Sequence, residues 1–208
     1  MYFVRTPYII KKLFPDILWE MPEVNNKIYL TFDDGPHPEM TPWILNYLKI
    51  HDAKATFFCL GKNAEKYPGL VQQIKDHGHT VGSHGYAHLN GWATGNAAYL
   101  KDVEMAEQVL SDKNNTRLFR PPYGRIRLSQ LRQISARVIN WSLMPGDFDA
   151  GISSEKCHQR LLENVRSGDI ICLHDSEQAA RHLRYCLPKW LAFFDNKGLK
   201  SEALPLNP

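Results

Sequence analysis

Two adjacent carboxylates, Asp33 and Asp34, lie in the run Thr31-Phe32-Asp33-Asp34-Gly35-Pro36, just after the apolar stretch Ile28-Tyr29-Leu30. Like charges side by side are costly unless a cation sits between or beside them. His84 and His88 can complete a metal site. Spaced four apart, they face the same way on one helical turn and can reach one cation. Two imidazoles and one carboxylate suit zinc, or iron, cobalt or nickel, and do not suit calcium or magnesium. Three protein ligands leave positions for water and substrate, and water on such an ion has a pKa of about 7. Asp34, His84 and His88 are the expected ligands of one divalent metal. Asp33 is left to handle protons as a general base. The chemistry this division implies is metal-assisted hydrolysis.

Three further segments supply what such a hydrolase needs. Arg120 can keep Asp33 ionised by lowering its pKa. Arg120-Pro121-Pro122-Tyr123-Gly124 is a rigid loop, because each proline fixes a φ angle. It can aim the Tyr123 N–H at a developing oxyanion. His174 follows the apolar run Ile170-Ile171-Cys172-Leu173 and is the expected general acid for the leaving group. Asp147 can orient His174 and hold it protonated. Taken singly, each residue has a plainer explanation: a strand-end cap for Asp33, a turn for the proline loop, a histidine beside a capping Asp175. The remaining histidines, His37, His51, His77, His79, His158 and His182, fall in loops or on helix faces without useful partners.

The elements that must position these residues alternate in type. Strands are predicted at Lys27–Phe32, Ala55–Leu60, His79–Ser83, Arg117–Phe119, Arg137–Trp141 and Asp169–Leu173, with a last return at Gly198–Leu204. Helices are predicted at Thr41–Lys49 (Thr41 as N-cap, Pro42 at N1), Pro68–Asp76, Asn96–Leu110, Leu128–Ser135, Ser153–Val165 and Glu177–Phe194, the last interrupted by Pro188. Such alternation predicts a parallel sheet, either an open α/β sheet or a β/α barrel. The polar residues cluster just after strands, as they do on the active face of a β/α barrel. The 208 residues fit one domain, with residues 1–26 as an N-terminal arm packed on the barrel.

Composition excludes several classes. A net charge of +3 with no basic run beyond Lys11-Lys12 argues against a nucleic-acid partner. Cys59, Cys157, Cys172 and Cys186 form no C-x-x-C, and the expectation is reduced, buried thiols. No signal peptide and no run of about 20 apolar residues is seen. The default compartment is therefore the cytoplasm. The arm from Tyr2 to Trp19 is apolar and basic enough to touch a membrane surface, although packing across the domain is the favoured expectation. Oligomeric state is not legible.

The order T-F-D-D-G-P, S-H-x-x-x-H, R-P-P-Y-G and L-H-D resembles the polysaccharide deacetylase family, carbohydrate esterase family four, over residues 27 to 205. The resemblance implies a distorted (β/α) barrel with fewer than eight strands, with residues 27–208 as the catalytic domain. It implies the Asp34, His84, His88 metal triad, Asp33 as base, Tyr123 as oxyanion donor and His174 as acid. A fourth motif departs from the family's Trp-x-x-Asp-x-x-Asp-Trp. In Trp141 to Phe148, Met144 replaces the first acid and Phe148 the last tryptophan, while Asp147 is kept. The chemistry is preserved, and the pocket wall is altered. That wall is assigned to Phe148, Pro121, Pro122 and Leu173.

The implied substrate is an acetylated carbohydrate, an N-acetylated sugar of the chitooligosaccharide or peptidoglycan type. An O-acetyl-xylan esterase and a small-amide hydrolase are alternatives on the same barrel. A non-catalytic carbohydrate-binding module would predict loss of Asp33, His174 or a ligand, and all are present.

Overall fold

The computed structural model describes residues 2–22, 26–110 and 118–206. In chain order the elements are α1 (Tyr8–Leu13), β1 (Lys27–Asp33), α2 (Met40–Ile50), β2 (Ala55–Cys59), α3 (Gly61–Lys66), α4 (Pro68–Asp76), β3 (Thr80–Ser83) and α5 (Asn96–Leu110). They continue with β4 (Leu118–Phe119), α6 (Leu128–Leu131), β5 (Arg137–Val138), α7 (Ser154–Asn164), β6 (Ile170–His174), α8 (Glu177–Lys197) and β7 (Lys200–Ser201). The sheet runs β5-β4-β3-β2-β1-β6, with β7 beside the start of β1. Every pairing between these strands is parallel.

The sheet curls, and one extended segment spans its two edges. Ile139, just beyond β5, donates its N–H to Phe119 O of β4, while Leu143 N–H donates to Ile170 O and its carbonyl accepts from Cys172 N–H on β6. The result is a distorted (β/α) barrel, as the family resemblance implies. Residues 2–21 pack along the closing segment. Thr6 N–H donates to Ser142 O, Met144 N–H to Val4 O, and Asn140 N–H to Leu18 O. Arg5 binds the Asp169 carboxylate at 2.6 Å.

Side chains alternate across the strands with period two. Ile28, Leu30 and Phe32 of β1 and Ile171 and Leu173 of β6 join one cluster with Ile44 of α2, Leu161 of α7 and Leu183, Leu187 and Trp190 of α8. That face is the seam between sheet and helices. Tyr29, Thr31 and Asp33, and Ile170, Cys172 and His174, are out of phase with it and face the interior.

Several sequence expectations are corrected. Helix α2 begins at Met40 with Glu39 at its cap, so Thr41 is not the N-cap. Pro188 does not interrupt α8; Leu187, Trp190 and Leu191 carry the buried stripe straight past it. Helix α6 is one turn long, and the extended backbone after β5 pairs too sparsely to continue that strand to Trp141. Gly198 ends α8 in a left-handed conformation (φ 66°), and only Lys200 and Ser201 return as strand. Helices α1 and α3 were not predicted. Arg117 lies outside the described residues. No helix among the described residues is long and apolar enough to cross a membrane.

Candidate active site

Strand register brings the chemistry to one end of the barrel. Asp33, the last residue of β1, is paired with Phe58 of β2 on one side and His174 of β6 on the other. Ser83 of β3 pairs with Phe119 of β4, so His84 and Arg120 each follow immediately as their strands end. Three of the five non-glycine residues with positive φ among the described residues lie here: Asp34 (79°), His88 (62°) and Tyr123 (60°). Such backbone costs of order 1–3 kcal/mol per residue and persists where surroundings over-determine it.

Those surroundings are visible at Asp34. The Asp175 carboxylate accepts from Gly35 N–H (2.9 Å) and from the Thr41 hydroxyl (2.5 Å). A Cβ on Gly35 would lie 2.0 Å from an Asp175 oxygen, so only glycine fits beneath this clamp. Asn63 Nδ2 donates to Asp34 O at 2.7 Å. Burial is the main reason the Asp175 pKa rises to about 8, outweighing the Thr41 and Gly35 hydrogen bonds that oppose it.

The two histidines do not share a helical turn. Residues 84–90 are a loop, and the rings converge because the chain turns left-handed at Gly85 (φ 74°) and again at His88. Asp102, buried on α5, holds that turn: its two carboxylate oxygens accept from Tyr86 N–H and Ala87 N–H, each at 2.8 Å. A charged residue within the buried stripe Tyr99, Asp102, Val103, Ala106 is the sequence signal that marks it.

Asp34, His84 and His88 each offer a ligand atom, all within 4.8 Å of one another. Asp34 Oδ1 is 3.7 Å from His84 Nε2 and 3.3 Å from His88 Nε2. Tetrahedral ligands about 2.1 Å from an ion stand about 3.4 Å apart. These separations bracket that spacing. His84 Nδ1 donates to the Arg120 carbonyl at 2.8 Å, which turns Nε2 toward Asp34. Burial, then the neighbouring His84, lowers the His88 pKa to about 4, so its ring is neutral at pH 7. The donor set fits a divalent metal.

Asp33 is buried against a fully buried cation. Arg120 Nη1 donates to Asp33 Oδ1 at 2.7 Å and to Thr31 Oγ1 at 2.6 Å; Nη2 donates to Asn140 O at 3.0 Å. The guanidinium also lies 4.2 Å over the Phe58 ring. Burial alone would raise the Asp33 pKa, but Arg120, then His84 and His174, outweigh it and hold the carboxyl below its usual range. The Cys172 thiol donates to Asp33 Oδ2 at 3.4 Å, a contact the sequence did not suggest. All four cysteines are free and buried.

His174 Nδ1 meets Asp147 Oδ1 at 2.9 Å, and His174 N–H donates to Asp147 Oδ2 at 2.7 Å. Asp147 is fully buried. Burial opposes the charged imidazole, but Asp147, with Cys172 next, raises the His174 pKa well above its ordinary value. Phe148 meets the His174 ring edge-on, centroids 5.1 Å apart. Pro121 and Pro122 are buried beneath an exposed Tyr123, whose ring lies 4.5 Å from His88. Leu173 is the exception among the proposed pocket residues. Its side chain is one step out of phase with Cys172 and His174 and is buried against the helices.

A sequence model described as polysaccharide deacetylase matches residues 21–138. The chain belongs to the polysaccharide deacetylase family. It is 35% identical to a peptidoglycan-N-acetylglucosamine deacetylase of Bacillus cereus, over 86% of this chain and 67% of that protein. It is 34% identical to a chitooligosaccharide deacetylase of Azorhizobium caulinodans, over 86% of this chain and 83% of the relative. Among solved structures, the Bc1960 peptidoglycan N-acetylglucosamine deacetylase superposes with a TM-score of 0.82 at 33% identity, covering 91% of each chain. This deacetylase is thus an enzyme of the hydrolase class, and the barrel end just described is its candidate active site.

Proposed function

We propose that this deacetylase hydrolyses the acetamido group of N-acetylglucosamine units in an oligosaccharide, releasing acetate and a free amine. The observation that carries the reading is the pair of oppositely prepared groups on neighbouring strand ends. Asp33 is kept ionised by Arg120, and His174 is kept protonated by Asp147. Names of the relatives support the substrate class.

Asp34, His84 and His88 would hold one divalent metal, zinc by the softness of the donor set, with cobalt or nickel able to substitute. When bound, the metal supplies Lewis acidity toward the acyl oxygen and toward water. Asp33 accepts a proton from the water that attacks the acyl carbon. The Tyr123 N–H, set by the left-handed turn, faces the developing oxyanion. His174 delivers its proton to the nitrogen as the C–N bond breaks. The added oxygen leaves in acetate, and the nitrogen leaves as amine.

The test is acetate release from chitooligosaccharides, peptidoglycan fragments, acetyl-xylan and small amides. Acetate from the first two, matched by new free amine, is expected. Release from acetyl-xylan alone would assign an esterase instead.

A further inference from the structure

The N-terminal arm reaches the site through Tyr2. Its ring centroid lies 5.1 Å from that of Phe148, the rings tilted by 56°. Phe148 in turn meets His174 edge-on. The Tyr2 hydroxyl donates to Asp149 Oδ2 at 2.8 Å and accepts from Arg160 Nη1 at 2.7 Å. Burial, then the Asp149 bond, raises the phenol pKa, so it keeps the proton it donates. The Arg160 guanidinium also lies 5.6 Å from the Tyr2 ring and donates to Pro145 O at 3.3 Å. Gly146 adopts φ 92°, and a Cβ there would lie 2.2 Å from the Tyr2 hydroxyl oxygen. The loop from Pro145 to Asp149 is therefore shaped around this one tyrosine.

We infer that Tyr2 is a positioning residue that sets acyl selectivity: its ring holds Phe148 against His174 and so fixes the wall beside the general acid. The inference rests on the proposed role of His174. Tyr2 lies outside the residues matched by the family, and the aromatic it supports is the one that departs from the family motif. A phenylalanine lacks the indole N–H and fills less volume than a tryptophan, so support from behind is what keeps it in place.

The experiment uses the full chain, with Tyr2→Ala and Tyr2→Phe, on N-acetyl and N-propionyl glucosamine oligomers. Tyr2→Ala frees Phe148 to move away, and the ratio of kcat/KM for propionyl over acetyl should rise about tenfold, the scale of one methylene in a pocket. Tyr2→Phe keeps the ring and should restore the wild-type ratio. An unchanged ratio in Tyr2→Ala, or a Tyr2→Phe that behaves like Tyr2→Ala, overturns the inference. If the wild type releases no acid from either sugar, the proposed reaction fails on its own account. The nuclear Overhauser contact between the Phe148 and His174 rings then decides the role of Tyr2. Loss in Tyr2→Ala with retention in Tyr2→Phe supports it, and retention in both overturns it.

Discussion

Asp33 and His174 are partners across the β1–β6 ladder. In a parallel sheet, residues opposite one another put their side chains on the same face. The proposed base and acid therefore approach a substrate from adjacent strand ends, with Cys172 between them and ligand atoms of all three within 4.8 Å of one another. The same neighbours separate their protonation: Arg120 lowers one pKa and Asp147 raises the other. Two titratable groups pushed apart by their surroundings assign acid and base.

Asp33→Asn keeps the shape and removes the charge. Activity should fall by about 10²–10⁴-fold, the range for general-base catalysis, with metal content unchanged. Arg120 would be left as a buried charge without its carboxylate, so stability should drop by about 3 kcal/mol, the low end for such losses. Loss of metal together with activity would make Asp33 a ligand instead.

Asp147→Asn tests the acid. In the native protein the His174 pKa is raised, so the basic limb of the pH–rate profile should lie well above pH 6.5. Without the carboxylate it should shift to lower pH. The linked stability has the same sign. The Asp147–His174 contribution is full below the unfolded histidine pKa of about 6.5 and fades as pH rises through the folded value. Denaturant melts at pH 6 and pH 9 should therefore differ more in wild type than in Asp147→Asn. A basic limb that stays in place would sever Asp147 from His174.

Asp102→Ala should weaken the metal site without touching a ligand. The two N–H groups it holds fix the loop between His84 and His88. Loss of supporting shells around metal ligands typically costs about 10–100-fold in affinity. Competition against a chromogenic chelator measures it directly. Wild-type affinity would show that the loop holds its shape unaided.

Much of this site was legible because its chemistry is local in sequence. Asp33 and Asp34 are adjacent, and β strands are betrayed by Ile28, Tyr29 and Phe32. The supports were not, since they act over long separations: Asp175 on Gly35, Asp102 on Tyr86, Tyr2 on Phe148. No spacing rule links such pairs. The i, i+4 interval of His84 and His88 also misled, because a left-handed loop and a helical turn can both bring two rings together. Leu173 adjoins His174 in sequence, but strand phase turns its side chain to the helices.

Phe148→Trp restores the bulk the family motif carries. It should change relative rates across acetylated substrates by several-fold while leaving metal content intact, since Phe148 meets His174 and is not itself a proposed ligand. Unchanged relative rates would remove Phe148 from the pocket wall.

The proposed acetyl hydrolysis requires a metal on Asp34, His84 and His88. The most direct measurement is acetate release from a chitooligosaccharide by protein stripped with chelator and then given zinc, cobalt or nickel, beside His88→Ala treated identically. Stripped protein should be inactive. One equivalent of metal should restore wild type, with one amine formed per acetate, and His88→Ala should bind metal weakly and stay inactive. Full activity in the stripped protein, or equal metal binding and activity in His88→Ala, would contradict it.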